Sequence, residues 1–343
     1  MVTRVKRIGE AMRYPYLIAL AILMAMPTVS TPADEPTADQ RLKAAGQTPP
    51  CRKKQRARRQ PPGVFSESGL ARFRLRSGRL EVDPMRYRKG SQQHQADRFR
   101  ESITVSSSSG VPSVYYSYAD DYQRVQLVAE HGKSLRMEST LVATGEQAVM
   151  EQQGRGAIQW HVRRDPAAES ELDRHLTGPT LLHIVGQDEA GFQIHFDLLI
   201  SRMLLGRSVI ELTHRTEAFL QENATSLAVV SSDEVDRLID QLGSAKHSQR
   251  RGAAVALAGL GTSAIPYLTT ALTRRDLDVE QRARIRMLIS RCPRTDEDTP
   301  SSLACLLSTD RDHWQIMAQK MNQTQWIAAN AHIRRCGLDP LTR

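Results

Sequence analysis

The chain has 343 residues, 40% hydrophobic and 25% charged, a balance that excludes a wholly disordered or fibrous polymer and leaves room for two or three domains. The net charge of +9 is local. Cys51 to Arg100 holds fifteen Lys or Arg against four acids (Glu67, Glu81, Asp83 and Asp97), a balance of +11, so the remainder sums to −2 and a uniformly basic surface is excluded.

Residues 1–33 read as a secretory signal peptide. Arg4, Lys6, Arg7 and Arg13 form a positive leader, Leu17 to Met26 is an unbroken apolar run, and Pro27 ends it before the small residues Thr28, Ser30 and Ala33. The run falls short of the about 20 residues that a spanning helix needs. Cleavage after Ser30 or Ala33 gives an exported protein (periplasmic, envelope-bound or secreted); the alternative is an uncleaved N-terminal anchor. Residues 34–62 contain Pro36, Pro49, Pro50, Pro61 and Pro62 with almost no large apolar side chain, so they are expected to form a disordered linker. Within it Arg52, Lys53, Lys54, Arg56, Arg58 and Arg59 put six positive charges in eight residues. Such a run either binds a polyanion or an anionic membrane surface or only keeps the linker extended. For an exported chain, envelope polymer and phospholipid are the available anions, and no nucleic acid is expected.

Residues 63–165 alternate with period two. Phe73 and Leu75 alternate with Arg72, Arg74 and Arg76; Leu135, Met137 and Leu141 with Arg136, Glu138 and Thr140; Ile158, Trp160 and Val162 with Gln159, His161 and Arg163. One apolar and one wet face predict an antiparallel meander of about six strands, at 72–82, 101–107, 113–119, 122–129, 133–141 and 147–162, the last divisible into two. The arginine face of the first strand either extends the basic patch or protects a sheet edge. In 166–230 the spacing of Phe192, Phe196, Leu199 and Met203 predicts a helix. A shorter one precedes it around Leu181 to Val185, and another follows over 209–220. These helices are expected to cover the open face of the sheet, with the start of the solenoid as the alternative.

Residues 231–343 are expected to be helical. Between Val235 and Met287 the chain repeats itself without a gap at an offset of thirty. Val235, Leu238, Leu242, Ala253, Val255 and Leu257 fall on Ile265, Leu268, Leu272, Ala283, Ile285 and Met287. Ser232 or Asp233, Ser248, Thr262 or Ser263, and Asp278 are placed to cap four helices, Gly243 and Gly261 to stop two, and Pro266 sits in a first turn. Further helices are expected at 301–308, 311–321 and 323–336. Over residues 232–292 the chain resembles the short HEAT-like repeats of bacterial proteins, including those related to phycobilin lyases. That resemblance implies protein–protein contact or scaffolding and does not imply lyase chemistry. Only two units are clear, so flanking helices are needed as caps or layers.

The candidate chemistry is sparse. An exported chain favours one disulfide among Cys292, Cys305 and Cys336, with free buried thiols as the alternative. His183, His195 and His214, near Asp197 and Glu211, lack metal-ligand spacing, so no metal and no cofactor is expected. Ser106 to Ser109 is a turn rather than a nucleophile elbow, and Gly259-Leu-Gly261 ends a helix. Alternation sends Tyr116 and Tyr118 to one face and Tyr115 to the other. The fold class expected is therefore α+β: an antiparallel sheet with covering helices, then a short HEAT-like solenoid. The function expected is that of an exported, non-catalytic scaffold that binds a protein partner through 231–343. The alternative is an envelope enzyme with its site between the sheet and helices 180–215, using His183, His195 and Asp197.

Overall fold

The computed structural model describes residues 64–130, 134–163, 174–292 and 296–343. The signal peptide, the linker and its basic run (Arg52, Lys53, Lys54, Arg56, Arg58 and Arg59) lie outside the described residues. The fold is α+β, and the described residues all belong to one compact unit.

A short helix α1 (Val64–Ser68) leads into a two-stranded hairpin, β1 (Ala71–Arg76) and β2 (Arg79–Tyr87). The expectation of one strand over 72–82 is thus corrected. Ser77 and Gly78 both have positive φ (51° and 70°), the turn that matches the twist of a two-residue hairpin. Glycine is needed at 78 for a second reason: a Cβ there would lie 2.5 Å from that of Thr180.

Eight strands then form one antiparallel sheet. They are β3 (Gly90–Ala96), β4 (Phe99–Ser108), β5 (Val111–Asp120), β6 (Gln123–Glu130), β7 (Ser134–Leu141), β8 (Gln147–Gln152), β9 (Ile158–Arg163) and β10 (Arg174–Gly178), each paired with its neighbour in sequence. Register aligns one apolar row across the sheet: Ile103, Tyr116, Leu127, Met137, Met150 and Trp160 are successive cross-strand partners. All six are buried, because period-two alternation puts every second side chain on the covered face. Tyr116 and Tyr118 point inward and Tyr115 is exposed. The two edge strands, β3 and β10, were not foreseen. Neither alternates apolar with polar residues, since an edge exposed to water is kept polar.

The covered face meets α2 (Leu181–Gln187) and a long helix, α3, made of Glu189–Phe192, a π-helical turn Gln193–Asp197, and Leu198–Met203. Phe192 and Phe196 stand edge-on to Trp160 at 6.1 and 5.8 Å. Each such fully buried side chain contributes about 1.5–3 kcal/mol. The π turn admits both His195 and Phe196 to the interior, and the sheet residue Gln123 donates to the carbonyl oxygens of Ile194 and His195. The helix α4 (Val209–Asn223) follows, and its Leu220 packs with the C-terminal helices rather than with the sheet.

The helices α5 (Ser232–Leu242), α6 (His247–Gly259), α7 (Ile265–Ala271) and α8 (Val279–Arg291) share a core of their own, with a 3-10 turn (Gly261–Ala264) before α7. Asp278 caps α8 with a full capping box to Gln281, whereas α5, α6 and α7 begin after Ser231, Lys246 and Ala264 without a side-chain cap bond. Thirty is the right offset for α5 and α7, where Leu238 and Leu268 are both buried. It fails for the second helices: Val255 is 67% exposed and Ile285 is buried, while Leu257 is buried and Met287 is 37% exposed. A helix brings i and i+4 to one face and throws i+2 to the other, so Ala253 and Leu257 face inward and Val255 outward. The matching inward pair of α8 is Ile285 and Ile289, which is an offset of thirty-two. The loop before α8 is longer than the one before α6 and absorbs the difference.

Past residue 296 come α9 (Pro300–Leu307), α10 (Arg311–Ala318) and α11 (Gln323–Arg335), close to the expected spans. They enclose Trp314 in a core with Leu182 and Leu220. Cys305 is an exposed thiol and Cys336 a buried one, both free, so none of the three conceivable bridges among Cys292, Cys305 and Cys336 is formed. The expected disulfide is corrected accordingly.

Candidate functional site

Two concave surfaces and two histidine networks carry the polar chemistry. The first surface is a groove of about 310 Å³ between α6 and α8. Its floor includes Val255 and Met287, which are equivalent at the offset of thirty-two and are both outward-facing apolar side chains. Its rim includes Arg251, Arg284 and Arg291. Arg284 is paired with Glu280 at 2.6 Å; Arg251 and Arg291 are exposed and have no carboxylate partner among the described residues. An apolar floor with a cationic rim suits an amphipathic acidic segment. The apolar side chains were legible in the sequence, but the gapless offset assigned Val255 and Met287 to the core.

The second surface is a cleft of about 710 Å³. Its walls come from the tip of the β1–β2 hairpin, the β8–β9 turn, Pro179 and Thr180, and from α5, α7 and the α9–α10 loop. The hairpin is held in place from both sides. Gln152 of β8 mimics a paired strand, accepting from the Leu80 N–H at 3.2 Å and donating to its carbonyl at 2.6 Å. Asp298 accepts from the backbone N–H groups of Ser77 and Gly78 at 2.9 and 2.7 Å. Between these anchors Arg79 is 9% exposed, its Nη1 donating to the Pro179 carbonyl at 2.6 Å. Burial lowers its pKa to about 10, with Glu81 opposing the shift and Arg155 adding to it. Nothing in its sequence context separates Arg79 from the other arginines of the strand.

The arginine face of β1 is consumed by ion pairs. Arg72 meets Glu297 at 2.9 Å, Arg74 meets the buried Asp83 at 2.6 Å, and Arg76 meets Asp296 at 3.1 Å. It neither extends a basic patch nor lines a free edge.

The histidines occupy separate networks. Thr180 Oγ1 lies 2.9 Å from His183 Nδ1, and His183 Nε2 lies 3.3 Å from Asp310 Oδ2 without hydrogen-bond alignment. His183 also abuts the fully buried His313, with ring centroids 4.9 Å apart. His195 bridges Ser139 Oγ at 3.0 Å and Glu146 at 2.9 Å, beneath the sheet. Asp197 accepts from Ser208 at 3.1 Å, and burial raises its pKa. His214 pairs on the surface with Glu189 at 2.9 Å. The fold therefore does not bring His183, His195 and Asp197 together. No group of three or more His, Cys, Asp and Glu side chains among the described residues is placed to hold a metal ion.

No single described helix is long and apolar enough to cross a membrane. Comparison with family models, with curated proteins and with solved structures gave no match.

Proposed function

We propose that this protein is an exported, non-catalytic scaffold of the bacterial cell envelope that docks a protein partner on a short HEAT-like solenoid, residues 231–343. The observation that carries the reading is the pair Val255 and Met287. Two repeat-equivalent positions, one on α6 and one on α8, both present apolar side chains to water inside one groove. A helix that needs only its own fold places polar residues there, and contiguous exposed apolar surface marks an interaction site. The unpaired Arg251 and Arg291 on the rim favour a partner segment with acidic side chains. The signal-like residues 1–33 support export, and the run Arg52 to Arg59 supports a salt-sensitive contact with envelope polyanion or anionic lipid.

The test is site-specific photocrosslinking in cells that export the full chain. A photoreactive residue at 255 should give a discrete crosslinked band, a residue at the exposed sheet position 126 should not, and Met287→Asp should remove the band. No band from 255, or a band unchanged by Met287→Asp, rejects the docking surface.

A further inference from the structure

We infer that the cleft beside the hairpin is a binding site for an amphiphilic anion, a carboxylate or phosphate on an apolar body, held by Arg79. The inference goes beyond partner docking and uses a different surface. Arg79 spends Nη1 on the Pro179 carbonyl, but Nε and Nη2 have no hydrogen-bond partner and are buried. Those two N–H groups form the side edge of the guanidinium, the fork that grips both oxygens of a carboxylate or phosphate. No carboxylate of the described residues lies within ion-pairing distance of Arg79. A buried cation with unmade hydrogen bonds is costly, and native folds keep such groups only where something satisfies them. The cleft at its side is large enough for a small ligand, and Ile265, Pro266, Ala271, Leu306 and Leu338 supply apolar wall. Arg79 is one of the residues that line the cleft, and because Nε and Nη2 have no accessible surface there, binding requires that the side chain, held by one hydrogen bond, turns its fork toward the ligand. Arg311 on the same cleft donates to the carbonyls of Asp339 and Pro340 rather than to a carboxylate, although Glu81, Asp236, Asp310 and Asp312 also line the cleft.

The experiment is calorimetric titration of the full chain with octanoate and with octyl phosphate, using octylammonium and 1-octanol as controls. One site per chain is expected for the anions, with the ammonium and the alcohol at least tenfold weaker. The tighter anion identifies the headgroup. Arg79→Met should weaken anion binding at least tenfold, and Arg79→Lys should lie between, because it keeps the charge and loses the fork. Thr270→Trp fills the cleft from an exposed position and should weaken binding similarly, which decides the matter should Arg79→Met fail to fold. No anion binding at millimolar concentration overturns the inference. Equal binding of octylammonium, or affinity unchanged in Arg79→Met or in Thr270→Trp, does so too.

Discussion

His313 is fully buried, and neither ring nitrogen has a hydrogen-bond partner. Its neighbours are His183 at 4.9 Å between rings, Glu217 at 4.0 Å and Asp310, with Lys320 contributing from farther off. Desolvation is the largest influence and lowers its pKa to about 3, with His183 adding to the shift and Asp310 opposing it. In the unfolded chain an imidazole titrates near 6.5. Between these values the unfolded state holds a proton that the folded state refuses, so stability is full above pH 6.5 and falls as pH falls through it. At pH 5.5, one unit below the unfolded value, the loss is about 1.4 kcal/mol. His332, also lowered by burial, acts in the same direction. Glu217, raised by burial, acts in the opposite direction. Urea unfolding should therefore show a lower midpoint at pH 5.5 than at pH 7.5, and His313→Phe should flatten the difference. An identical pH dependence in the variant would show that this ring does not set it.

At the scale of elements, the helices and central strands follow from spacing, and the errors have physical causes. Alternation finds strands with one dry face, so it found β4 to β9 and passed over the wet edges β3 and β10. It also ran through Ser77 and Gly78, although the period breaks there, Arg79 lying three residues after Arg76. In a two-residue hairpin i pairs with i+3, so the inward positions change from odd (Phe73, Leu75) to even (Leu80, Val82) across the turn. The repeat misled in another way. Ala253, Val255 and Leu257 read as one motif, yet a helix with one face in water does not bury i, i+2 and i+4 together. Stability measurements separate the two registers. Val255→Asp should change the free energy of unfolding by no more than about 0.5 kcal/mol, as surface changes do. Ile285→Ala should cost about 2–5 kcal/mol, as core truncations do. Equal costs at both positions would restore the offset of thirty and remove the floor of the groove. Of the candidate sites, the groove was visible in composition but not in orientation. The cleft was invisible, because its walls come from segments as distant in sequence as Arg79 and Arg311.

For the whole molecule the decisive contacts join residues about 220 apart. The segment Asp296 to Asp298 lies along β1: the Asp298 N–H donates to the Leu75 carbonyl at 3.0 Å, and its carboxylate holds the hairpin turn. Glu297 binds both Arg72 and Arg207, which adds α3's exit to the same clasp. Leu182 and Leu220 are buried against Trp314 and its neighbours, so the helices after the sheet are completed by the last forty residues of the chain. Sheet and helices should then unfold together. In two single-tryptophan proteins, one keeping Trp160 in the sheet core and one keeping Trp314, urea transitions should coincide. Asp298→Asn keeps one acceptor oxygen but sets an NH2 against the other backbone N–H, so one of the two hydrogen bonds at this buried site is lost, at a cost of about 1–3 kcal/mol. It should move both transitions to lower urea by the same amount, although the residue belongs to neither tryptophan's core. Were only the Trp160 transition to shift, the clasp would be a local turn anchor and the two halves would be independent.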